Sequence, residues 1–276
     1  MTWHAKLDVR YALENAKSVA RYEHAGPLRI LHSLYPEGAN ICHNVVVHPP
    51  SGLVGGDTLD ITVDVGEGAH GLITTPGATR FYKSLGDLSL QRTRVNLQAN
   101  ARFEWLPLEA IAYSGCQAEN RLTLQLAPSA EMIGWDMTAL GLPNANLPFD
   151  LGTFTQHIEM PGVWLERGRI NASDDRLLNS PLGFAGHKCM ASIFFVTGSA
   201  LTRERREQAL DAARAVIIAH PLKLTSGATC PNDHVVAVRV LAPLVEPAMA
   251  LLRQVWATWR QELWQIESNA PRIWAM

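Results

Sequence analysis

The chain has 276 residues, 47% of them hydrophobic and 18% charged, which is enough apolar material to bury a sizeable core. Its formal net charge is −2 and no lysine or arginine block appears, which argues against a nucleic-acid partner. No apolar run reaches the length of a membrane span, so no membrane partner is expected.

The first stretch, MTWHAKLDVRYALENAKSVA, mixes polar and apolar residues without an apolar signal core. The four cysteines, Cys42, Cys116, Cys189 and Cys230, stand far apart with no Cys-x-x-Cys, a pattern that suits reduced thiols. Both features point to a cytoplasmic protein. HNVVVH (43–48) is a β-branched strand run ended by Pro49-Pro50. Next, SGLVGGDTLD (51–60) crowds Gly52, Gly55 and Gly56 before Asp57. LDITVDV (59–65) alternates, with Leu59, Ile61, Val63 and Val65 on one face and Asp60, Thr62 and Asp64 on the other. Gly66-Glu67-Gly68 turns the chain, and AHGLITT is expected to run back as the second strand of a hairpin. LSLQRTRVNLQ (88–98) and RLTLQLAP (121–128) repeat the alternation, so the pattern favours a mostly β architecture over alternating βα units.

The period changes near the C-terminal end. TRERREQALDAARAVIIAH (202–220) places Leu210, Ala213 and Ile217 at helical spacing, with Thr202 as N-cap, Glu204 in the first turn and Pro221 as the stop. A second helix starts near Pro247, where Met249, Leu252, Trp256, Trp259 and Leu263 form one apolar stripe. That stripe suits packing on a sheet, with a partner surface as the alternative. No linker, repeat or low-complexity segment divides the chain, so residues 1–276 are read as one domain.

The glycine-rich stretch is not a nucleotide site by pattern. A P-loop needs a Gly-Lys-Ser/Thr, and none of Lys6, Lys17, Lys83 and Lys188 follows a glycine. A dinucleotide fingerprint needs differently spaced glycines between a strand and a helix. The stretch therefore reads as a backbone bend or close approach. No His-Glu-x-x-His, finger-spaced Cys/His or Gly-x-Ser-x-Gly appears. Three carboxylates stand in apolar or glycine-rich surroundings: Asp57, Asp136 in MIGWDMTALGLP and Glu166 in GVWLERGRI. Each is either a structural group (turn cap, salt bridge) or an oxygen ligand on an internal polar route that binds a divalent ion weakly. A glycoside hydrolase using paired acids and a β-rich sugar- or peptide-binding module are competing classes.

YPEG followed by CHNVVVHPPSGLVGGDTLDITVDVGEGAHGLITTPGATRFYKS resembles the signature of the UreD (UreH) urease accessory proteins. LRILHSLYPEG, FEWLPLEAIAYSG, EMIGWDMTALGLP and the closing PRIW also match, from about residue 20 to the C-terminus. Ser51 stands where the family often has Gly, Arg80 where Lys is common and Leu108 where Gln is frequent; RINASDDRLLNSPLGFAGHKC matches only loosely. The resemblance implies an elongated, mostly β (α+β) fold of stacked, β-helix-like sheets with a few helices, two of them near the C-terminus. It implies a non-enzymatic nickel-insertion chaperone that assembles with UreF and the GTPase UreG as a hetero-oligomer. That complex docks on apo-urease, whose dinuclear nickel site carries a carbamylated lysine. It further implies transient Ni²⁺ as the only cofactor and an internal tunnel. By motif position, Asp57, Asp136 and Glu166 are the expected metal ligands and Thr79 a polar tunnel residue. Asp57→Ala is expected to keep the fold and lower urease activation. The tryptophan-bearing helix and the PRIWAM tail are candidate UreF contacts.

Overall fold

A computed structural model describes residues 2–275. The chain opens with a hairpin in which β1 (His4–Glu14) and β2 (Lys17–Ala25) pair antiparallel. Asn15 and Ala16 form its two-residue turn with φ of 49° and 61°, the left-handed geometry that matches strand twist. β1 alternates strictly, burying Ala5, Leu7, Val9 and Tyr11. β3 (Arg29–Leu34) and β4 (Ile41–Val47) form a second antiparallel pair.

From β4 the chain winds as a solenoid whose first three coils each lay a strand on three faces in turn. β4 passes through β5 (Gly52–Leu53) into β6 (Thr58–Val65), and β7 (His70–Thr74) through β8 (Thr79–Phe81) into β9 (Ser89–Leu97). β10 (Arg102–Leu106) leads through β11 (Ala110–Ala112) into β12 (Cys116–Leu126). β13 (Glu131–Leu142) leads through β14 (Leu147–Pro148) into β15 (Gly152–Met160). β4, β7, β10 and β13 stack in parallel on one face, and β6, β9, β12 and β15 on a second. β5, β8 and β11 make a short third face. The expected hairpin at Gly66–Gly68 is not formed. β6 has β1 on one edge and β9 on the other, both parallel, so no edge is left for β7, which joins the other sheet.

The second sheet ends in β16 (Trp164–Asn171), antiparallel to β15. After the short α1 (Asp175–Asn179), β17 (Cys189–Thr197) pairs antiparallel with β13 and extends the first sheet. α2 (Arg203–Ala219) follows, then β18 (Ser226–Asn232) and β19 (Val235–Ala242), which complete that sheet, and α3 (Val245–Trp264). Thr202 caps α2 by accepting from the Arg205 N–H at 3.2 Å.

Two apolar layers result. One lies between the two large sheets and the other between the first sheet and α2/α3. Met249, Leu252, Trp256, Trp259 and Leu263 are all buried in the second layer, so the α3 stripe is core rather than a partner surface. The PRIW tail is tucked into the same layer. The Trp274 ring lies 5.1 Å from Trp135 and 5.3 Å from Trp256, and its Nε1 donates to Thr74 Oγ1 at 2.8 Å. The stripe is also charge-matched beneath: Trp256 Nε1 donates to the buried Glu104 at 2.5 Å, His70 meets Glu104 at 2.8 Å, and the fully buried Arg260 reaches Glu37 at 2.8 Å.

Candidate functional site: a polar belt between the sheets

Asp57 sits at the end of the glycine-rich bend that joins β5 to β6. One carboxylate oxygen accepts from the Trp3 N–H at 2.8 Å and the other from the Val54 N–H at 2.9 Å. The glycines are required by close approach. A Cβ at Gly52 would strike the Tyr82 ring, and one at Gly55 would strike Ser84 and the Asp87 carbonyl. The stretch is thus a backbone bend closed by an acid on two N–H groups, and Asp57→Ala would remove both hydrogen bonds. Asp57 also acts electrostatically on His48. Burial lowers the His48 pKa, and the Asp57 charge opposes that. His48, Ser51, Thr79 and Gln91 line a cavity of about 190 Å³.

From Gln91 a polar belt runs through the largely apolar space between the sheets. On the second sheet Gln91 (β9), Asn120 (β12) and Gln156 (β15) are register partners on three successive strands. On the first, Asp136 (β13), Ser192 (β17) and Arg239 (β19) are register partners in the same way. The two rows touch. Gln91 Nε2 donates to Asn120 Oδ1 at 3.4 Å, and Asn120 Nδ2 donates to Asp136 Oδ2 at 2.7 Å. Asp136 Oδ1 is buried without a hydrogen-bond partner, and so is Thr138 Oγ1. Burial pushes the Asp136 carboxyl up to about 7, and the nearby Glu166 charge adds to the rise. The Thr138 hydroxyl lies close enough to oppose that shift without completing a bond of ordinary geometry.

Glu166 projects from β16, where Arg239 holds both its oxygens, Nε to Oε1 at 2.9 Å and Nη2 to Oε2 at 2.5 Å. Gln156, Glu166, Ser192 and Arg239 line a second cavity, of about 360 Å³. The structure therefore brings Asp136 and Glu166 into one electrostatic unit, sets Thr79 at the first cavity and gives Asp57 a capping role beside it. Among the described residues no three or more His, Cys, Asp or Glu side chains cluster as a metal site. Burial pushes the Cys116 and Cys189 thiols up to about 12, so neither offers a thiolate at neutral pH. What the belt offers a cation is oxygen: carboxylate, amide and hydroxyl, the donor set of weak and exchangeable binding.

Gln91, Asn120, Gln156, Ser192 and Arg239 were not singled out by the sequence reading. A signal for the amides existed. Asn120 shares its strand face with Ala118, Leu122 and Leu124, and Gln156 with Phe154 and Ile158, so each breaks an apolar row.

This is a β-solenoid scaffold, layered with helices on one sheet and carrying a polar belt between its sheets. Residues 4–275 match the family described as UreD urease accessory protein. The urease accessory protein UreD of Variovorax paradoxus is 66% identical over the full length of both chains. That of Polaromonas naphthalenivorans is 67% identical, again over both full chains, and that of Leptothrix cholodnii is 49% identical over 99% of each. The chain belongs to the UreD family of urease accessory proteins.

Proposed function

We propose that the chain works in urease maturation as a non-enzymatic chaperone that passes Ni²⁺ toward the active site of apo-urease, assembled with UreF and the GTPase UreG in the cytoplasm. The observation that carries this reading is the belt itself, a row of register-matched polar side chains crossing a largely apolar core. Buried polar groups are costly unless used, and the unpartnered Asp136 Oδ1 lies at the centre of the row. A carboxyl raised to about 7 exchanges its proton for a cation readily near neutral pH. Asn120 donates its amide N–H to Asp136, Ser192 and Thr138 stand beside it with hydroxyl oxygens, and Thr79 with Gln91 lines the cavity at the other end of the row. Asp57 adds negative charge beside that cavity. In this reading nickel is cargo, held briefly by successive oxygens and never resident. GTP hydrolysis falls to UreG, in keeping with a chain that carries no P-loop motif.

A raised carboxylic acid near a second carboxylate is also what a glycosidase uses. Here the second carboxylate is neutralised by a bidentate arginine and the first is enclosed between sheets, which disfavours that chemistry. The test is urease activity and nickel content in cells whose only copy of this chain is Asp136→Asn. Assembled urease that lacks nickel supports the route; fully nickel-loaded urease refutes it. Turnover of a glycoside panel by the purified chain would favour the hydrolase instead.

A further inference from the structure

We propose that Arg239 is a latch on the Asp136–Glu166 end of the belt, closing it to cations while its guanidinium grips Glu166 and opening it on release; this rests on the route proposed above. Glu166 presents both oxygens to Arg239 in a fork-on-fork pair. A carboxylate held so has its best lone pairs occupied, and the guanidinium puts a full positive charge where a dication would arrive. Arg239 also stands at the correct place to block passage. It follows Asp136 and Ser192 in the same register row and lines the cavity of about 360 Å³ with Gln156 and Glu166. The inner two members of that row are buried, the Asp136 and Ser192 residues being 7% and 6% exposed, whereas the Arg239 side chain is 42% exposed.

The latch has somewhere to go. Arg239 Nη1 already donates to Thr229 Oγ1 at 2.8 Å, outside the belt on β18. β18 is the outermost strand of its sheet, and its pairing with β19 shifts register between Thr229 and Asn232. The guanidinium can leave Glu166 while remaining hydrated and anchored to the edge strand. Glu166, which lines the cavity with 25% of its side chain exposed, is then left uncompensated, and it forms a carboxyl pair with Asp136, whose Oδ1 is buried without a partner. Such a pair attracts a divalent cation that the closed state repels.

Nickel chloride titrated calorimetrically into the purified full-length chain tests this, with near-ultraviolet circular dichroism confirming that each variant is folded. Arg239→Met, which keeps the packing stem and removes the charge, is expected to bind Ni²⁺ at least about tenfold tighter than the parent. The gain is expected to vanish in the Glu166→Gln/Arg239→Met double variant. Unchanged affinity in Arg239→Met overturns the latch, and a gain that survives Glu166→Gln overturns it too, because the ion then binds elsewhere. Should Arg239→Met fail to fold, Arg239→Lys keeps the charge without the fork and is expected to show a smaller gain; no gain overturns the latch. The Asp136→Asn cells separate the two ideas. Apo-urease there together with no gain in Arg239→Met removes the latch and leaves the route, whereas nickel-loaded urease there removes the route.

Discussion

Asp136 makes stability depend on pH in an unusual direction for an acid. Its folded pKa of about 7 lies above the ordinary value of 3.8, so between the two the folded chain holds a proton that the unfolded chain has lost. Stability contributed by this group is therefore full below the lower value and falls as pH rises through that window. Asp136→Asn removes the effect and keeps an oxygen to accept from Asn120. The variant is expected to exceed the parent by up to about 4 kcal/mol at about pH 8, with the gap closing toward about pH 4, as read by denaturant unfolding across pH. Asp57 is a carboxylate whose two oxygens are already satisfied by the Trp3 and Val54 N–H groups. Asp57→Ala is expected to cost about 2 kcal/mol, with Asp57→Asn recovering part because its amide has one acceptor oxygen. Equal melting temperatures for all three proteins would contradict that role.

α3 and the tail behind it act as one packed unit. Trp256, Trp264 and Trp274 each bury a ring and each spend the indole N–H on a polar group of the solenoid: Glu104, Glu131 and Thr74. Burial alone would raise Glu104; His70, Arg260 and Trp256 outweigh it and hold the carboxyl below its ordinary value. Trp256→Ala is expected to destabilise by about 3–5 kcal/mol, and deletion of residues 271–276 to lower the melting temperature because Trp274 leaves the core. Loss of UreF co-elution on that truncation would then reflect unfolding unless the melt is unchanged. The α3 stripe was legible in the sequence because helical spacing declares a face. Whether the face meets the sheet or a partner was not, because a buried tryptophan and an interface tryptophan have the same periodicity. The expected hairpin at Gly66–Gly68 failed for a related reason. A turn signal marks where the chain reverses but not whether a strand edge is free to receive it, and β1, distant in sequence, had taken that edge.

Across the molecule five strands of the solenoid, β4, β6, β7, β9 and β12, could be read from the sequence, yet the winding could not, since alternation says nothing of which strand pairs in parallel. The belt was half legible. The isolated acids Asp136 and Glu166 stood out, whereas Gln91, Asn120 and Gln156 align only once the coils stack. That stacking has a metrical consequence. Neighbouring strands are held about 4.8 Å apart by backbone hydrogen bonds, whatever their side chains. Groups in register on successive strands therefore inherit a fixed rise, one rung per coil, like the treads of a staircase. A swap of Asn120 for another polar residue alters the tread but leaves the rise as it was. An inserted coil would lengthen the stair by one whole step, and a fractional step has no place in it.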